Sequence, residues 1–533
     1  MKKALLILMI SLLGIGFSAK AQQFDFSSVV SGNTLYFKIT DNVNKKIEII
    51  PQLSGNTYYY SKPKGDIIIP DSVTNNGITY TVTSIGKYLF YNCDSVTSIT
   101  IPNTVLSIKS EAFSYCHGLT SIVLPNSITS IEGGAFFDCS NLVSISLPNS
   151  ITSIPASIFY LCEKLASIDI PNTVTKIGSG AFANCYSLTS LSLPNSIITI
   201  ESNAFSDCHG LTSITFPNSI TSIRNQAFAY CKSLTSITLP NSIDSIGRNC
   251  FMGCNNLVSV TLPEFVTSIG EGVFGDCISL TTIEFPASLT SISDYSFTNC
   301  SSLSSIDIPN SITRVGVGVF IQCTNLTSIT LPNSITSIEP YLFSGCAGLT
   351  AIDIPNSIIT IGESSFELCT GLTSISLPSS IVNIGKYAYN RCPGITSIIS
   401  NAITPPIIDA TTFEDISQTV LINVPCQSLE AYQEASNWKD FTNYDCFVIG
   451  LNDILNAEIE TKLYPNPTSG IAVLELEGIR KATDIFVYDI TGRQVKTYKI
   501  KANQSKLDID LTGFAKGIYQ VKVFNQTKKL IVN

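Results

Sequence analysis

Apolar side chains fall at fixed intervals along most of this chain. From Leu119 to Cys139 they stand at Leu119, Ile122, Leu124, Ile128, Ile131, Ala135, Phe136 and Cys139, with Ser, Thr, Asn, Gly or charged residues between them. The frame C-x-x-L-x-x-I-x-L-P-x-x-I-x-x-I-x-x-x-A-F-x-x returns every 23 residues from Cys93 to Cys392, fourteen cysteines in all, without an insertion or deletion. A period of this length marks stacked repeats rather than separate domains. Each "LTSITLP" piece reads as a strand, closed by a proline that cannot donate to a ladder and followed by a "PNS" turn. Burying about eight apolar side chains does not cover the cost of ordering a unit of this size, so one unit does not fold alone. Stacked units share a core and a ladder of backbone hydrogen bonds. At about 4.8 Å per strand the stack makes a rod or arc roughly 65 Å long.

The cysteines admit three readings. A zinc site needs several converging ligands, whereas each unit brings one Cys and the whole chain has 2 His. Disulfides between neighbouring rungs have an acceptable Cα separation, but parallel side chains suit the required torsion poorly. The reading preferred is a small buried hydrophobe at a tight corner of the coil. Cys250, in "RNCF" where other units have Ala, is read the same way, and Cys426 with Cys446, outside the ladder, are either a disulfide or two free thiols.

Composition narrows the class. The chain has 31 Lys and Arg against 40 Asp and Glu with no dense basic run, which argues against nucleic acid, heparin-like polymers and anionic membranes as partners. Lys2 and Lys3, the apolar run "ALLILMISLLGIGF" and the small-residue "AKA" at Ala19–Ala21 read as an export signal, with the mature chain starting at Gln22. No later segment approaches the roughly 20 apolar residues of a membrane span, so a soluble mature chain without a transmembrane segment is expected.

After these repeats, "LYPNPTSG" (Leu463–Gly470), "IFVYDITGRQV" (Ile485–Val495) and "GIYQVKVFNQTKKLIV" (Gly517–Val532) alternate as strands with turn residues between them, the pattern of a small β-sandwich. The fold expected is a solenoid, a parallel β ladder of about 14 coils with short helical or irregular return segments, followed by a small Ig-like β-sandwich. The boundaries expected are a signal peptide at 1–21, a β-rich cap at 22–79, repeats at 80–400, a second cap at 401–450, a linker at 451–462 and a tail domain at 463–533.

Two resemblances bear on these readings. The unit "LTSITFPNSITSIRNQAFAYC", Leu211–Cys231, resembles the leucine-rich repeats of the BspA-like bacterial surface proteins. "DIIIPDSVTNNGITYTVTSIG" (Asp66–Gly86) resembles their lead-in, and "VPCQSLEAYQEASNWKDF" (Val424–Phe441) their terminal cap, a short helix setting Leu429, Tyr432 and Trp438 over the last coil. The resemblance implies a leucine-rich-repeat solenoid of a cell-surface or secreted protein; some relatives adhere to host matrix proteins or to other bacteria, and many have no known ligand. The tail is similar to the C-terminal sorting domain of type IX secretion substrates, on Tyr464, Pro465, Asn466, Pro467, Gly492, Gly517 and Tyr519. That implies periplasmic transit, passage across the outer membrane of a Bacteroidota-type cell by the type IX machinery, and removal of the tail on attachment to surface lipopolysaccharide. An ordinary Ig-like ligand module is the alternative.

Catalysis is not expected, and neither is a cofactor or a metal. His117 and His209 stand four coils apart, roughly 19 Å, too far to share a proton. Both read as solvated turn residues. Glu132, Glu201, Glu271 and Glu363 fall in the variable stretch before the Ala-Phe pair, where a charged surface residue is ordinary. Binding is the better expectation. Ser121, Ser144, Ser167, Ser190, Ser213, Ser236 and Ser259 follow one another unit by unit, with Thr120, Thr189, Thr212 and Thr235 beside them. Such a hydroxyl array suits a repetitive ligand, a glycan or an extended protein strand; solubilising filler is the plainer account. Selectivity is expected where units differ, at Tyr295, Tyr341 and Tyr387, since aromatics anchor interfaces. The function expected is an adhesin for host or bacterial macromolecules, such as a matrix protein or glycan; the alternative is a surface spacer or biofilm component with no specific ligand.

Overall fold

The structure, a computed structural model, describes residues 24–54, 57–58, 62–448, 461–476, 483–490, 493–501, 504–523 and 526–533. The expected signal peptide and the expected linker up to residue 460 lie outside them. The chain divides into two compact units, one running to Ile422 and resuming over Tyr432–Asn443, the other made of Asn423–Ala431 and Tyr444–Asn533.

The first unit starts with three antiparallel strands, Phe26–Val30, Asn33–Asp41 and Lys46–Ile50. The third pairs in parallel with Ile78–Ile85, whose Ser84 and Ile85 stand beside Ser107 and Ile108, and these beside Ser130 and Ile131. An antiparallel start thus passes into a parallel ladder stepping by one repeat per rung. From there the chain winds into a β-solenoid of coils in 23-residue register with little helix.

Most coils carry two short strands where the sequence predicted one. In a representative coil, Ser121–Val123 pairs with Ser144–Ser146, and after the Pro-Asn-Ser turn Ser130–Ile131 continues a second ladder. In both, Ile points inward and Ser outward, the alternation a strand imposes. The third side is a run of turns that also bonds coil to coil, as in Phe113 N–H to Ala135 O at 2.8 Å and Phe182 N–H to Ala204 O at 2.8 Å.

Two positions on this side have left-handed backbone. One column includes Gly134, Gly180, Gly272 and Gly318, with Asn203, Asn249, Tyr295 and Tyr341 at the same offset; the other, four residues on, includes Asp138, Asn184, Asp207 and Arg391. Glycine and asparagine enter this conformation most easily, so their presence here follows from the turn geometry.

The core is continuous. From Phe90 through Phe113, Phe136 and every equivalent Phe to Phe366, then Tyr389 and Phe413, the rings stack with centroids 5.0–5.9 Å apart. Trp438 and Phe441 close the column against Phe413. The Trp438 indole N–H donates to Pro406 O at 2.8 Å, and the buried Tyr432 hydroxyl lies 2.7 Å from Ser400 Oγ and donates to Ala402 O at 3.0 Å. Leu429, expected over the last coil, stays half-buried at the start of the helix Leu429–Glu434, and Ser428 is buried in front of it.

In the second unit Cys426 and Cys446 form a disulfide with Cα atoms 4.7 Å apart. Its described tail has seven strands in two antiparallel sheets. Ile471–Leu476 lies between Thr461–Tyr464 and Lys506–Asp510; Thr483–Tyr488 and Gly517–Val523 lie between Gln494–Ile500 and Gln526–Val532. Both sheets send alternate residues into one core, with Leu474, Leu476 and Ile509 from one and Ile485, Val487 and Val521 from the other. That is a sandwich.

Candidate functional site

The cysteine column is the most regular chemical feature. Every ladder thiol from Cys116 to Cys392 is buried and donates to the carbonyl oxygen of the Phe 26 residues earlier, at 3.0–3.3 Å. Burial pushes these thiols up, to about 12 for Cys208 and Cys323 and well above the usual range for Cys139 and Cys162. A protonated thiol is what the bond needs. The cysteine is therefore more than a small hydrophobe: it is a buried donor that adds a second hydrogen bond to a Phe carbonyl already accepting from the backbone N–H three residues on, as Phe182 O does from Cys185 N–H. The ladder cysteines and Cys250 are free thiols.

The histidines are not simply solvated. His117 Nδ1 lies 2.5 Å from Asp94 Oδ1 in the coil before, and Nε2 lies 3.6 Å from Asp138 Oδ1 in the coil after. His209 stacks on Tyr186 with centroids 5.0 Å apart and sits 3.5 Å from Asp207 Oδ1. Burial and the charge of Lys232 hold His209 below its ordinary titration range. The acidic residues singled out in the variable stretch make bonds between coils: Glu132 pairs with Lys109 at 3.1 Å, Glu201 with Lys176 at 2.7 Å and Glu271 with Arg248 at 2.6 Å, while Glu363 accepts from Tyr341 at 3.5 Å.

The serine row lies on the outer face of the first ladder. Ser121 is in register with Ser144, Ser190 with Ser213, and Ser236 with Ser259, all exposed. Ser167 is exposed but belongs to no strand, so the strand assignment is interrupted there. Of the neighbouring threonines, Thr212 donates its hydroxyl to Thr189 O at 3.1 Å, a bond to the preceding coil. A shallow groove of about 1220 Å³ runs beside the first serines, lined by Ser121, Ser144, Asn103, Asn126, Asn149 and Asp169. A second of about 400 Å³ is lined by Ser259, Thr261, Glu264, Thr282, Glu284 and Phe285.

Tyr295 and Tyr341 are exposed, and Tyr387 is half-buried. All three have left-handed backbone, at φ 58, 58 and 55°. In the tail, Tyr464 is exposed, with its hydroxyl 3.1 Å from Glu475 Oε2 and 3.2 Å from Lys506 Nζ. Asn466 clasps the last strand, donating to Lys529 O at 2.6 Å and accepting from Ile531 N–H at 2.9 Å. Pro465 and Pro467 flank it, Gly517 opens the penultimate strand, and Tyr519 is buried with its hydroxyl on Ala515 O at 2.8 Å. Gly492 lies outside the described residues.

Coils that repeat one apolar frame and stack in parallel register define a leucine-rich-repeat solenoid protein. Matches to the BspA-type leucine-rich repeat region cover residues 83–209, 175–304 and 290–420, more than half of the sequence. The chain belongs to that family. Residues 462–533 match the secretion-system C-terminal sorting domain, the type IX signal that routes a protein to the cell surface or into the medium. Neither family is typically enzymatic. Among described residues no helix is long and apolar enough to cross a membrane.

Among solved structures, a leucine-rich repeat protein from Bacteroides ovatus aligns at 24% identity over 80% of this chain and 100% of its own, with a TM-score of 0.53. That likeness shows the fold. A leucine-rich cell surface protein from Faecalibacterium prausnitzii aligns at 26% identity over 71% and 96% of the two chains with a TM-score of 0.44. The pneumococcal vaccine antigen PcpA does so at 18% over 80% and 100%, also at 0.44. No curated protein matches this sequence.

Proposed function

We propose that the protein is an exported adhesin, without catalytic activity, whose solenoid takes a host or bacterial macromolecule, a matrix protein or a glycan, on its first-ladder face. The observation that carries the reading is the set of exposed serine pairs in strand register, Ser121 with Ser144, Ser190 with Ser213 and Ser236 with Ser259. Among the described residues these hydroxyls have no protein partner, unlike that of Thr212 beside them. A repetitive ligand meets the same donor and acceptor at each strand spacing, so many weak contacts add along one molecule. The competing reading, a spacer or biofilm component, is favoured by the regularity of the coils.

Binding of the full chain to a panel of matrix proteins, mucins and glycans separates the two. An adhesin gives saturable binding to a panel member that falls at least tenfold when Ser121, Ser144, Ser190 and Ser213 are all changed to Ala. A spacer gives none, and its self-association depends on the number of coils.

A further inference from the structure

The left-handed turn column that holds Gly134, Gly180, Asn203, Asn249 and Gly272 also holds Tyr295, Tyr341 and Tyr387. Glycine and asparagine fold this turn easily, whereas a bulky ring enters it at a cost. The three tyrosines stand in alternate coils, with Gly318 and Ser364 between them. Their rings lean along the stack onto the next coil. A Cβ on Gly318 would lie 2.7 Å from Cε1 and 2.9 Å from Cδ1 of Tyr295, so that ring fills the room a side chain of Gly318 would need. Ser364, which follows Tyr341 in the column, is 3% exposed, whereas Ser157, which follows the bare Gly134, is half-buried.

Resting on the next coil still leaves Tyr295 42% and Tyr341 37% exposed. Tyr88, at the head of the same column, is used differently: Lys87 Nζ lies 4.6 Å from its ring centroid, and its hydroxyl lies 3.2 Å from Glu111 Oε1. Among the described residues no cation and no second ring lies on Tyr295, Tyr341 or Tyr387. Asp294 precedes Tyr295, and Glu363 accepts from the Tyr341 hydroxyl at 3.5 Å. The charge of Glu363, more than burial, raises that hydroxyl above its ordinary range, so negative charge lies beside the ring. Phe297, Phe320 and Phe343, two residues on in these coils, step by 5.9 and 5.7 Å, which sets Tyr295 and Tyr341 two such steps apart. A short run of linked sugars covers that length.

We propose that Tyr295 and Tyr341, with Tyr387 continuing the row, are stacking plates for a linear neutral glycan on the turn side of the solenoid. Each ring takes the C–H face of one sugar, and Glu363 accepts from a sugar hydroxyl. The single file of rings chooses this occupant: protein hot spots cluster at the centre of a patch, whereas plates set in alternate coils match a ligand that repeats along a line. The carboxylates beside them disfavour an acidic sugar. The site rests on the binding reading above, narrows the ligand to a neutral polysaccharide, and lies on a different side of the coil from the serine row.

The test titrates the immobilised full chain with soluble neutral polysaccharides: a β-glucan, a mannan and a series of chitin oligomers. Saturable binding of at least one is expected, tighter for oligomers long enough to reach both rings and little changed by salt. Tyr295→Asn and Tyr341→Asn put in each place the residue found at Asn203 and Asn249, so both variants keep the turn, which a thermal melt checks. Each is expected to weaken glycan binding by about tenfold or more and to erase the gain with oligomer length. Tyr295→Phe and Tyr341→Phe keep the plate and are expected to bind nearly as the wild type does. The proposal is overturned if no neutral glycan saturates the chain, if only acidic glycans bind, or if the Asn variants bind unchanged. A matrix protein whose binding the Asn variants abolish, with no glycan bound, makes the row a protein contact and overturns it too. Ser121→Ala with Ser144→Ala is expected to leave glycan affinity unchanged, which keeps a failure of this site distinct from a failure of the serine face.

Discussion

The thiol of Cys208 donates to the carbonyl oxygen of Phe182, in the preceding coil, at 3.2 Å. The bond joins the two most regular columns of the solenoid, thiol and ring, across the coil interface. Replacing Cys208 by Ala removes the donor, leaves the Phe182 carbonyl with only its bond from Cys185 N–H and opens a small cavity, at a cost of about 1–2 kcal/mol. Cys208→Ser keeps a donor and is expected to cost less than Ala. Denaturant midpoints of the two variants check the order; a serine variant weaker than the alanine one would show that apolar volume matters more than the bond.

The same thiols make stability depend on pH at the alkaline end. A free thiol titrates at about 8.5, whereas Cys208 and Cys323 are pushed up to about 12 by burial. The folded state thus holds its protons where the unfolded state has released them. The stabilisation is complete below the unfolded value and is lost progressively as pH rises from about 8.5 toward 12. The melting temperature is expected to be flat through neutral pH and to fall steeply above about pH 9. In the native protein the ladder thiols should resist a thiol reagent that labels them all after unfolding.

The left-handed columns give a pair of opposite effects. Arg391 is exposed with φ 56°, so Arg391→Gly relieves backbone strain and is expected to raise stability by about 1 kcal/mol. Gly272 has φ 62°, and a Cβ there would lie 2.0 Å from Asn249 Oδ1. Gly272→Ala is expected to lose about 1–2 kcal/mol. Thermal melts of both variants decide whether the two positions answer to backbone conformation.

At the end of the stack, Trp438 is the single Trp of the chain. Its fluorescence therefore reports this region alone. Tyr432→Phe removes the hydroxyl that bonds Ser400 and Ala402 and is expected to lower the fluorescence-detected midpoint by the equivalent of about 1–2 kcal/mol. An unchanged midpoint would mean that the ring packing, and not the hydroxyl, holds this closure.

Much of the architecture could be read from the residues because the repeat is so strict. Phe113, Cys116, Leu119 and Ile122 recur without slippage, and each is buried where the frame placed it. The second ladder could not be read in the same way. Ser130–Ile131 is two residues long, too short to display an alternating period. The left-handed columns left a partial trace in Gly134, Gly180, Asn203 and Asn249, hidden because Tyr, Glu and Leu share those offsets. Sequence had no means of revealing that the thiols donate, since burial alone makes Cys look like Ala.

Because ring, thiol and strand contacts all recur at one fixed offset, the interface presented by a coil is nearly the same whichever coil comes next. Excising or duplicating a whole frame, from Cys208 to Tyr230 for instance, rejoins like surfaces. Tandem DNA copies recombine out of alignment, and a protein built this way tolerates the result. The length of the solenoid becomes a heritable quantity that can change in whole steps without a new fold having to be found.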